Sequence, residues 1–197
     1  MTSYYEKNKN HYMKKLKEFA PEQFKAFSRF DGTVFKPGAL TKKEKEIIAV
    51  AIAHVTKCPY CIDVHTKKAK IAGACQEELI EAIFVVMAVE AETTLNQHEH
   101  SLNDKTESFK AKLQPYFNFS QVVMGKGFLT DGFKELLAIA VAHAIHCTQS
   151  INSHTNNAIK LGVSEEQIAE AILVTAALKA GSAYAHLLHI YESYNDL

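Results

Sequence analysis

Apolar residues at 47, 48, 50, 51, 52 and 55 follow a Lys- and Glu-rich stretch that begins at Lys42. Their broad helical spacing predicts a mostly buried helix from Lys42 to about Thr56. The chain then breaks. Pro59 suits the first turn of a second helix with Cys58 near its N-cap, and Gly73 supplies a stop after about Ala72. A third helix starts near Gln76 and runs through LIEAIFVVMAVEAETTL. No segment alternates with period two between hairpin turns, so the pattern predicts an all-α fold. Residues 4–30 read as one or two further helices joined at Pro21, and residues 104–117 as another. The Gly- and Pro-containing stretches 31–40 and 118–129 read as connectors.

The same pattern occurs twice. Shifted by 89 positions, the segment from Thr41 overlies TDGFKELLAIAVAHAIHCTQSINSHTNNAIKLGVSEEQIAEAI from Thr130. About a third of the positions from Thr41 to His100 are identical, where chance would give roughly one in sixteen. Glu46 pairs with Glu135, His54 with His143, Cys58 with Cys147, His65 with His154 and Gly73 with Gly162, whereas Cys61 meets Ser150. The second copy predicts helices from Asp131, Thr148 and Ser164. Matching apolar faces imply that repeats 31–100 and 120–192 pack about a pseudo-two-fold axis as one all-α domain spanning 1–197.

At 197 residues the chain is long enough to bury a globular core without staples. Net charge is zero, which argues against a polyanion such as nucleic acid as partner. The first thirty residues carry lysines throughout and no long apolar run, so no membrane association and a cytoplasmic location are expected. The four cysteines, at 58, 61, 75 and 147, do not resemble a secreted disulfide framework. In a reducing compartment a close pair more often does metal or redox chemistry.

With Cys58 at the N-cap and Cys61 three residues on, the Cα atoms would be about 5 to 6 Å apart, within the range of a disulfide. Unpaired amides at a helix N-terminus favour thiolate. His65, one turn further along the same face, can take a thiol proton or bond a carboxylate that does. Glu46 reappears as Glu135 at the edge of the apolar run. Its place twelve residues before Cys58 leaves two readings open, a relay group or a solvated helix-start glutamate.

Glu46, Cys58-Pro-Tyr-Cys61, His65, Gly73, the acidic helix start at Gln76-Glu77-Glu78 and the lead-in Gly38-Ala39-Leu40 together resemble the alkylhydroperoxidase D-like members of the carboxymuconolactone decarboxylase superfamily. The resemblance covers Gly38 to about Glu92 and recurs in decayed form from Gly127 to about Ala180. It implies a thiol-dependent peroxidase acting on organic hydroperoxides or hydrogen peroxide, with no cofactor. Cys61 would attack, Cys58 would resolve, and Glu46 and His65 would relay protons, while an external dithiol on a lipoyl or thioredoxin-like protein renews the pair. It also implies a homo-oligomer, trimer or hexamer. The chain departs from the pattern at Tyr60, where some members carry histidine, and in having the intact motif in its first repeat.

Other readings are a non-catalytic redox sensor or helical scaffold, a decarboxylase-like enzyme, and a zinc protein using Cys58, Cys61 and His65 with His54, His98 or His100. A thioredoxin-type oxidoreductase would need a βαβ setting that the pattern lacks. Cys75 reads as a plain turn or core residue, Cys147 and His154 as structural, and His186 and His189 as solvated or interface residues.

Overall fold

The computed structural model describes residues 10–97 and 107–195. They form α1 (Asn10–Phe19), α2 (Pro21–Val34), α3 (Lys42–Val55), α4 (Pro59–Ile71), α5 (Gln76–Gln97), α6 (Glu107–Met124), α7 (Asp131–Ala144), α8 (Thr148–Lys160), α9 (Glu165–Ala185) and α10 (Leu187–Asn195), with no strand among the described residues. The all-α, duplicated reading holds: α2–α5 and α6–α9 are the two copies. His98 and His100 lie outside the described residues.

Helices α3 and α7 sit at the centre. Every residue from Lys45 to Ala53 and from Phe133 to Ala142 is buried. Both pack on each other and on α5 and α9, so one core draws on both halves. Their starts are fixed locally. Thr41 and Glu44 form a capping box at α3, and Thr130 accepts from the Phe133 amide at α7. Their ends are matched too: Lys57 and His146 take left-handed φ values of 52° and 61°, and the amides of Cys58 and Cys147 reach back to Ala53 and Ala142. This is the helix stop that usually takes glycine. Here it turns each chain sharply into a cysteine that starts the next helix.

Two expected boundaries shift. Helices α2 and α6 run on to Val34 and Met124, into stretches whose Gly and Pro content suggested connectors. The extra turns bury Val34 and Val123, and buried lysines satisfy their last carbonyls. Lys45 Nζ donates to Val34 O at 3.0 Å, and Lys134 Nζ to Val123 O at 2.9 Å and to Gly125 O. Near the C-terminus, His186 ends α9 and α10 begins, a break that the continuous apolar pattern did not show. The stretch Glu165–Asn195 has the length and hydropathy of a membrane span, yet Ala171, Val174, Ala177 and Leu178 within it belong to the core.

The halves are clasped crosswise. Glu170 of α9 accepts from Leu40 N at 2.8 Å and pairs with Lys45 at 3.0 Å, both in the first half. Glu81 of α5 accepts from Phe128 N and Leu129 N at 2.7 and 2.8 Å and pairs with Lys134 at 2.5 Å, all in the second. A glycine lies beneath each carboxylate, and any side chain there would push the carboxylate aside. A β-carbon at Gly38 would lie 2.0 Å from Glu170 Oε1, and one at Gly127 only 1.8 Å from Glu81 Oε1.

Candidate active site

Cys58 is the N-cap of α4, and its sulfur accepts from the Cys61 amide at 3.3 Å. The two cysteines form a disulfide with Cα atoms 5.3 Å apart, as the spacing predicts. Both are almost wholly buried, at 1% and 3% exposure. One turn on, His65 directs Nδ1 to Glu46 Oε2 at 2.7 Å. Glu46 is therefore no solvated helix-start residue: it is fully buried in the second turn of α3. Its Oε1 lies 2.8 Å from Lys42 Nζ, an ion pair without hydrogen-bond alignment. Burial pushes the Glu46 carboxyl up, but the hydrogen bond from His65 and the neighbouring Lys42 ammonium outweigh it and hold the group below its ordinary value.

The ring of His65 stacks on Phe35, with centroids 5.3 Å apart, and Lys42 and Lys68 lie 4.9 and 5.7 Å from the Phe35 centroid. With Nδ1 donating to an ionised Glu46, Nε2 carries the lone pair of the neutral ring. Among the described residues that nitrogen has no hydrogen-bond partner. The arrangement gives a dithiol pair at a helix N-terminus and a base oriented by a buried carboxylate.

The second half repeats this frame without the pair. His154 Nδ1 meets Glu135 Oε2 at 2.6 Å. Cys147 Sγ donates to Ser150 Oγ at 3.2 Å, Ser150 donates to Glu92 Oε1 at 3.2 Å, and His154 Nε2 meets Glu92 Oε2 at 3.1 Å. Burial raises the Cys147 thiol, but hydrogen bonds from Ser150 and nearby groups leave it below its usual value. Burial would discharge His154, yet the two carboxylates lift it to about 9.

This has a sign for stability. The folded value exceeds the unfolded one, near 6.5, so the contribution is complete below pH 6.5 and fades as pH rises through 9. Unfolding free energy should fall by on the order of 2 kcal/mol over that window. Chemical denaturation at intervals across it checks this, and Glu92→Gln should flatten the slope.

Other candidates fall apart spatially. His54 Nδ1 turns to Val50 O at 2.8 Å and lines a 540 Å³ apolar cavity with Ile62, Leu79, Ile83 and the exposed Cys75. No cluster of three or more His, Cys, Asp or Glu side chains suited to a metal occurs among the described residues, and His65 is engaged with Glu46. His186 and His189 stack on each other, at 5.8 Å.

The sequence profile of the Carboxymuconolactone decarboxylase family matches residues 21–97 and 113–193, one segment on each half. The chain belongs to this family. As a carboxymuconolactone decarboxylase family protein it is 48% identical over 66 residues to uncharacterized protein 4 in the cox locus of Paracoccus denitrificans. That match spans 34% of this chain and 60% of the relative's length. A solved Burkholderia xenovorans chain assigned as a gamma-carboxymuconolactone decarboxylase subunit superposes with a TM-score of 0.68, covering 91% of this chain and 89% of its own. At 21% identity that likeness speaks to the family fold alone.

Lys42, Phe35 and Glu92 were not singled out in the sequence, although each touches a histidine, or its partners, in one half. A signal existed for Glu92. Its counterpart one repeat later is Gly181, an exchange that overlaying the halves exposes.

Proposed function

We propose that this protein is a thiol-dependent peroxidase working through a Cys58/Cys61 dithiol–disulfide cycle. The observation that carries the reading is the pairing of that dithiol, at the start of α4, with a histidine held by a fully buried glutamate. In the cycle, Cys61 loses its proton through His65, and the thiolate attacks the terminal peroxide oxygen. The O–O bond breaks, Cys61 becomes a sulfenic acid, and the departing alkoxide leaves as alcohol with the proton that His65 returns. Cys58 then attacks the Cys61 sulfur, water leaves, and the disulfide forms. Two electrons from an external dithiol restore both thiols.

Near-complete burial of both sulfurs favours a reductant that arrives on a thin arm, such as a lipoyl group, over one that must press a protein surface against them. Assembly of several copies is part of the same reading. It is supported by the half-exposed stripe of Ile80, Phe84 and Met87 on one face of α5.

The test is peroxide consumption with reduced lipoamide, thioredoxin or glutathione as electron donor. Continuous turnover with at least one dithiol is expected, and oxidation that stops after one disulfide per chain would favour a sensor instead. Glu46→Gln should lower turnover about 10- to 100-fold, because it replaces the carboxylate that orients the His65 ring through Nδ1.

A further inference from the structure

Overlaying the repeats gives one exchange a chemical meaning. Helices α5 and α9 match through their buried positions: Ala82 with Ala171, Val85 with Val174, Ala88 with Ala177, and Thr93 with Ser182. On that register Glu92 falls on Gly181. Helix α5 contacts α8, and α9 contacts α4 in the mirrored way. In the second half the Glu92 carboxylate spans Ser150 Oγ and His154 Nε2. In the first half the equivalent groups are Cys61 and His65, and the helix that faces them presents a glycine.

That place can receive a carboxylic acid, its proton taken by the Nε2 lone pair so that an N–H faces the carboxylate as His154 Nε2 faces Glu92. His65 is nine-tenths buried, and its Nε2 has no hydrogen-bond partner among the described residues. Among the described residues a β-carbon at Gly181 would touch just the Phe27 ring, with Cζ at 3.7 Å in ordinary van der Waals contact, which makes that ring the apolar wall of the place. Phe27 and Phe24 both pack on Tyr184, at 5.8 and 5.5 Å. In the second half the positions of Phe24 and Tyr184 are Leu113 and Leu95. Charge points the same way. Lys42 pairs with Glu46 in the first half, whereas Asp131 holds that position in the second. The first half thus carries the extra cation and lacks the internal carboxylate.

We propose that the first half holds a binding site for a small apolar monocarboxylate, its carboxylate seated beside Gly181 between Cys61 and His65 Nε2 and its body against Phe27. Glu92 is the built-in occupant of the corresponding place in the second half. The site overlaps the one a peroxide would use, so such acids should compete with it, but binding needs no turnover.

The experiment titrates the full-length disulfide form with benzoate, by calorimetry and by the NMR signals of the His65 ring, with benzyl alcohol as the uncharged comparison. One benzoate per chain is expected, with benzyl alcohol at least tenfold weaker. Gly181→Glu should weaken benzoate at least tenfold by supplying the internal carboxylate. Glu92→Gly should admit a second benzoate beside Tyr116, the counterpart of Phe27, and bind it more weakly than the first because Asp131 stands where Lys42 does. Because the two variants lie in different halves, loss of folding in one leaves the other decisive.

No benzoate binding by the wild type, equal binding of the alcohol, or Gly181→Glu binding like wild type overturns the proposal. So does unchanged stoichiometry in a folded Glu92→Gly. All of these are read without peroxide, so a protein that binds benzoate yet fails to turn over peroxide would sink the peroxidase reading and leave this one standing.

Discussion

Cys61→Ser is expected to lower peroxide turnover at least about 1,000-fold, since a hydroxyl at this position is neither ionised near neutrality nor able to close a disulfide. The fold should accept it. Ser150 already occupies the equivalent place in the second half, fully buried, with Cys147 and Glu92 as hydrogen-bond partners. Under reducing conditions, where the wild type has no crosslink to lose, stability should match within about 1 kcal/mol. Cys58→Ser should behave differently: one equivalent of peroxide is consumed, and a sulfenic acid accumulates on Cys61 that a dimedone-type reagent traps. Rapid-mixing kinetics with mass mapping of the trapped residue distinguishes the two. Renewable turnover in Cys61→Ser, or the sulfenic acid appearing on Cys58, would reverse the assigned roles.

The largest stability loss is expected from Glu81→Ala. Lys134 is completely buried, and Glu81 is its ion-pair partner across the two halves. Two backbone carbonyls would still accept from the ammonium, but its charge would remain uncompensated in the core. Breaking a buried pair from one side costs about 3 to 5 kcal/mol. The same substitution strands the amides of Phe128 and Leu129, which adds to the loss. A fall in melting temperature of about 10 °C follows for a chain of this size. Gly127→Ala attacks the same clasp from the other side, because its β-carbon must displace the Glu81 carboxylate. Calorimetry on both variants checks this. A change under about 1 kcal/mol in Glu81→Ala would mean the clasp is only an exposed surface pair.

Helix identity was legible because α3 and α7 bury broad apolar faces that periodicity registers, and because Thr41, Pro59, Thr130 and Ser164 mark helix starts by local chemistry. The disulfide spacing was legible because three residues in a first helical turn fix a distance. The contact between Glu46 and His65 was not, since it depends on how α3 and α4 pack, and no rule of spacing spans the turn between them. The extents of α2 and α6 were hidden for a related reason. What prolongs them is a lysine ammonium from another helix, placed on their last carbonyls by tertiary structure.

The crossed clasps say something about ancestry. A chain with only one such half would carry a glutamate lacking its loop and a buried lysine lacking its glutamate, yet two identical copies meeting about a two-fold axis would satisfy both at once. Fusing two genes of such a dimer would cost no contact and would release the copies from identity. One descendant could keep its thiols and, through Glu92 on its own α5, close the doorway of the other, which became ballast for its sibling.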